Sequence, residues 1–82
     1  MSTQGKDEIK IEIVNILSLR GALCEIDLLV YLQDVYLNAT KDTILLSISE
    51  LVQSNEIIRL EYIQPNHNYR SMIYFPFGTQ IG

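Results

Sequence analysis

Residues 40–77 read TKDTILLSISELVQSNEIIRLEYIQPNHNYRSMIYFPF, a helical pattern that runs straight into two strand patterns. After Thr40, the residues Ile44, Ile48, Leu51 and Val52 keep the i, i+4, i+7, i+8 spacing that lines one side of a helix. Thr40 has the short hydroxyl side chain that caps a helix N-terminus, and Ser54-Asn55 ends the pattern. Over residues 57–63 the period shortens to two. Arg59 and Glu61 alternate there with Ile58, Leu60 and Tyr62 in a segment rich in β-branched and aromatic residues. Residues 64–69 form a polar turn, residues 72–75 return as the partner strand, and Pro76 stops that strand or places it at an edge. The expectation is a helix leading directly into an antiparallel β-hairpin.

Upstream, two more helical patterns precede this unit. Residues 1–5 read as a frayed start, and Asp7 and Glu8 then sit in a first helical turn, where carboxylates favour the helix dipole. Ile9, Ile13, Ile16 and Leu17 form one apolar stripe, and Gly21 is the expected C-cap. Ile11 falls on the far side, beside Asn15 and Ser18. Residues 22–25 read as a short extended link or minor strand. Residues 26 to about 37 read as a second helix, with Leu28, Leu29, Leu32, Val35 and Tyr36 inward and Val30 and Tyr31 outward. The fold class expected is α+β, one domain over residues 1–82: a three-helix bundle followed by a two-stranded antiparallel β-hairpin. Ile13, Ile16, Leu29, Leu32, Ile44, Ile48, Leu51, Ile58 and Tyr74 are expected to meet in its core.

Composition narrows the chemistry. A hydrophobic fraction of 48% suffices for a packed core without disulfide or metal staples. Neither a membrane-length apolar run nor a signal-peptide pattern is present, so a soluble protein of the cytoplasm or nucleus is expected, with no membrane partner. One histidine, His67, and one cysteine, Cys24, in separate segments offer no metal-ligand spacing. Cys24 stands among Ala22, Leu23 and Ile26, a setting more typical of a small core residue than of a nucleophile. The four glycines are dispersed, so no phosphate-cradling loop arises. The expectation is a non-catalytic module with no metal, no cofactor and no small-molecule site. Ten carboxylates against six basic residues give a net charge of −4, which disfavours phosphate backbones.

The order helix, helix, helix, hairpin resembles the winged helix-turn-helix superfamily, as in small transcription regulators of the MarR and ArsR type. The resemblance spans about residues 6–77. Its most specific part is DTILLSISELVQSNEIIRL, similar to the regulator pattern T-V-x-x-A-L-x-x-L-x-x-x-G-x-I-x-x. Thr43-Ile44, Ser47-Ile48, Leu51 and Ile57-Ile58 match its structural positions, and Asn55 stands close to its glycine. The resemblance implies a third helix that enters the major groove and a wing at residues 64–70. On that reading Lys41, Thr43, Ser49, Gln53, Arg59, His67, Asn68 and Arg70 contact duplex DNA. No fourth helical pattern follows the hairpin of the kind such regulators use to dimerise.

The outward positions of the third helix depart from this. Asp42 and Glu50 repel phosphate, and Leu46 finds no partner there other than a thymine methyl. The reading favoured is therefore a protein–protein interaction or oligomerisation domain. Its contact residues are expected to be Leu46 with Asp42, Ser49, Glu50 and Gln53, and the outward apolar Ile11, Val30 and Tyr31. The expected partner is another protein or a second copy, with weak duplex DNA contact at most. The alternative is the DNA-binding transcription regulator.

Overall fold

The computed structural model describes residues 6–64 and 69–79, with side chains at Asp7–Ile63 and Ser71–Thr79. Asn66, His67 and Asn68 of the expected wing lie outside the described residues, as do the side chains of Gln64, Tyr69 and Arg70. Along the chain run α1 (Lys6–Arg20), β1 (Leu23–Cys24), α2 (Glu25–Val35), α3 (Lys41–Gln53), β2 (Ile57–Gln64) and β3 (Tyr69–Pro76). Three helices cover one side of a three-stranded antiparallel sheet of order β1-β3-β2.

The helix ends follow local chemistry. Gly21 takes φ 86° and its N–H donates to the Leu17 carbonyl at 2.7 Å, closing α1. The Thr40 hydroxyl accepts from the Thr43 N–H at 3.2 Å and opens α3 as expected. At the other end of α3, Asn55 adopts φ 63°. Its N–H donates to the Val52 carbonyl, and that of Glu56 donates to Leu51 at 2.9 Å. These are the paired bonds of a Schellman C-cap, with asparagine in the left-handed position that glycine usually fills.

Ile9, Ile13, Ile16 and Leu17 of α1, Leu28 and Leu32 of α2, and Ile44, Ile48 and Leu51 of α3 are buried together with Ile57 and Tyr74 of the sheet. The expected stripes of α1 and α3 therefore hold. Ser47, also buried, donates from Oγ to the Thr43 carbonyl at 2.9 Å, so its hydroxyl is satisfied within the helix. On α2, Leu29 is half-buried at the margin, and Val35 is exposed while Tyr36 packs against the core. The helix stops at Val35, and the turn at Tyr36 rotates that ring inward.

Two expectations about the sheet need correction. The sheet is three-stranded rather than a two-stranded hairpin alone, because Leu23 and Cys24, in the segment read as a link or minor strand, pair with Tyr74 and Ile73 along the other edge of β3. Two residues are too few to show a period, yet the main chain between α1 and α2 satisfies its polar groups there. The second correction concerns the phase of β2. Cross-strand partners in an antiparallel pair share a face. Leu23, Arg59 and Tyr74 are in register, so the helix-facing side carries Ile57, Arg59 and Glu61. Ile57, 2% exposed, takes the core place expected for Ile58, which lies half-buried on the opposite face.

Candidate interaction surfaces

Tyr74 links three elements. Its hydroxyl donates to Glu25 Oε1 at 2.9 Å at the start of α2, and the Arg59 guanidinium of β2 lies beside it. Burial first, then the bond to Glu25, pushes the phenol up to about 12, with Arg59 acting in the opposite sense. Arg59 is thus placed toward the sheet's helix-facing side, next to a phenol.

The outward face of α3 is centred on Leu46, which is 50% exposed. Asp42 and Gln53 are exposed beside it and Ser49 is half-buried. Glu50 departs from the expected rim. Its Oε1 lies 2.6 Å from Lys10 Nζ of α1, and this bond is the leading cause that raises the lysine pKa. Position 50 sits where α3 meets α1, so the carboxylate turns to a cation in its own chain. Ile11 is 63% exposed near the same seam, beside a shallow depression lined by Lys10, Val14, Asn15, Leu51 and Glu56.

Val30 stands out from α2 as expected. Tyr31 does not. It is half-buried, and its hydroxyl donates to Glu12 Oε2 at 2.5 Å, clasping α2 to α1. That bond, followed by burial, raises its pKa. The helical wheel turned Tyr31 outward because it ignored the length of the side chain, which reaches sideways to the neighbouring helix. The expected contact residues thus divide among three places: the α3 face, the α1–α3 seam with Ile11, and the outer side of α2 with Val30.

The DNA-contact candidates are also spread. Lys41 is exposed at the first residue of α3, and Gln53 is exposed at its last. Thr43 is engaged in the cap, with its hydroxyl 2.9 Å from that of Thr40, and Ser49 is half-buried. Lys41 and Arg59 belong to different elements, with Arg59 beside Tyr74. His67, Asn68 and the Arg70 side chain fall outside the described residues.

Other apolar surface escaped the sequence reading. Leu19, Ile26, Leu37, Ile63 and Phe77 are all exposed, and so are Leu60 and Tyr62 on the sheet face away from the helices. A signal for part of this was present: Ile26 and Val30 are four apart, an apolar pair on the side of α2 opposite its core stripe. Among the described residues no group of three or more His, Cys, Asp or Glu side chains is placed to hold a metal ion. No helix among them is long and apolar enough to cross a membrane. No protein-family model matches the chain, and neither a curated protein nor a solved structure does so.

Proposed function

We propose that this chain is a winged-helix module that works through protein contacts rather than through catalysis or base readout. The winged-helix part of this reading is supported by the element order. A helix, a minimal strand, two helices and a hairpin succeed one another, with the minimal strand closing the far edge of the hairpin. The observation that carries the interaction reading is Leu46. A leucine half exposed at the middle of α3, flanked by Asp42 and Gln53, is an apolar anchor within a polar rim. A DNA groove offers that leucine only a thymine methyl, and its phosphates are repelled by the aspartate.

The test is Leu46→Lys. Folding is expected to survive with a loss of about 1 kcal/mol or less, because the side chain is already half in water. Association with the partner protein or a second copy is expected to weaken by about 1–2 kcal/mol. A large loss of stability with unchanged association would show Leu46 to be core and remove the argument. In parallel, duplex DNA is expected to bind weakly, without sequence preference and with a shallow salt dependence. Submicromolar, sequence-selective binding at physiological salt would overturn the reading in favour of a regulator.

A further inference from the structure

Among the described residues, the order β1-β3-β2 leaves β2 with one open edge along its length. Edges of this kind are commonly blunted by proline, by charged side chains, inward-pointing ones included, or by a bulge. The β2 sequence IIRLEYIQ contains no proline, its two charges, Arg59 and Glu61, are opposite in sign, and its pairing with β3 runs without interruption from Ile57 to Gln64. Arg59, Leu60, Glu61, Tyr62 and Ile63 are all exposed, so a second strand can approach this half of the edge without meeting the helices.

We infer that β2 pairs with β2 of a second copy, antiparallel about a two-fold axis through Leu60, to make one continuous six-stranded sheet. This inference rests on the interaction reading above, but it uses a different surface and names the partner. In that arrangement the strand is complementary to itself. An antiparallel pair of identical strands related by a two-fold axis must place that axis through one residue, so that each residue faces its mirror position in sequence. With the axis at Leu60, Arg59 faces Glu61 of the second copy and Glu61 faces its Arg59, two opposite-charge pairs on one face. Ile57 faces Ile63, Ile58 faces Tyr62, and Leu60 faces Leu60. Moving the axis to Arg59 or Glu61 sets like charges directly against each other, and moving it to Ile58 or Tyr62 shortens the overlap. Of these five registers, the one at Leu60 alone sets Arg59 against Glu61.

The apolar face supports the same partner. Ile58, Leu60 and Tyr62 share the outer side of the sheet with Ile73 and Phe75, their neighbours in register on β3. In the paired sheet the two copies of this row run on as a single apolar strip, with the helices of both copies on the other side. Across the seam Leu60 meets Leu60 and Ile58 meets Tyr62 side by side, which covers their flanks while the outer side of the strip still faces solvent.

Register-specific cross-linking tests the inference on the full chain, in a Cys24→Ser background. Leu60→Cys is expected to give a covalent dimer with a short thiol cross-linker, since facing Cβ atoms lie about 4.5–5.5 Å apart. Ile58→Cys alone and Tyr62→Cys alone are expected to give none, while a mixture of the two gives a heterodimer. Leu60→Lys, shown by its melting curve to be folded, is expected to lose the dimer in sedimentation. A wild-type protein that stays monomeric at high concentration would overturn the inference, as would cross-linking through position 60 no faster than through position 58. If association persists in Leu60→Lys but is lost in Leu46→Lys, the pairing of β2 is wrong and the interaction reading stands. Sequence-selective DNA binding would remove that reading whatever the cross-links show.

Discussion

Replacing Tyr74 with phenylalanine isolates one hydroxyl in an otherwise unchanged core. The ring is buried between the helices and the sheet, and the hydroxyl donates to Glu25 at 2.9 Å. Removing it leaves that carboxylate short of a donor. A bond to a charged acceptor contributes about 1.5–3 kcal/mol, but Glu25 is only half-buried and water can replace part of the loss, so about 1–2 kcal/mol is expected at neutral pH. In a domain of this size that lowers Tm by about 4–16 °C. A second signature lies at high pH. The folded-state pKa of about 12 exceeds the ordinary value of 10.0, so the neutral phenol is the form the fold prefers. Its contribution is fully present below pH 10 and is lost as the pH rises through 12. Two units correspond to about 2.7 kcal/mol, and we expect about 2 kcal/mol after solvent screening. Every other group is common to both proteins, so the difference between wild type and variant reports Tyr74 alone. The assay is urea unfolding of both proteins from pH 7 to pH 12. The wild-type advantage should shrink along the alkaline limb and vanish near its end. Parallel losses in the two proteins, or equal stability at pH 7, would refute the account of this site.

Ile48→Ala opens a cavity where α3 meets the rest of the core and should cost about 2–5 kcal/mol in denaturant unfolding, enough to leave a small domain marginal. Thr40→Ala removes the acceptor for the Thr43 N–H and should cost about 0.5–2 kcal/mol, whereas Thr40→Ser should stay close to wild type in the same measurement.

The main elements and the inward faces of α1 and α3 are legible in the sequence. Their stripes are unambiguous because each helix has one apolar side: Ile9, Ile13, Ile16 and Leu17 on the first, and Ile44, Ile48 and Leu51 on the third. Caps were legible for the same local reason, since Thr40, Gly21 and Asn55 act through the backbone beside them. What was not legible depends on neighbours distant in sequence. In β2 both parities are apolar, Ile57 and Ile63 on one and Ile58, Leu60 and Tyr62 on the other, so alternation alone could not choose the inward side. Tertiary packing chose Ile57, because its face is the one that Tyr74 shares beneath the helices, while the more apolar parity was left to solvent. Tyr31 and Glu50 were turned from the surface by partners on α1, Glu12 and Lys10, which lie 19 and 40 positions away. Periodicity reports how a residue sits on its own element. Which face meets another element, and which long polar side chain finds an ion or a hydroxyl across the gap, is decided only when the elements pack.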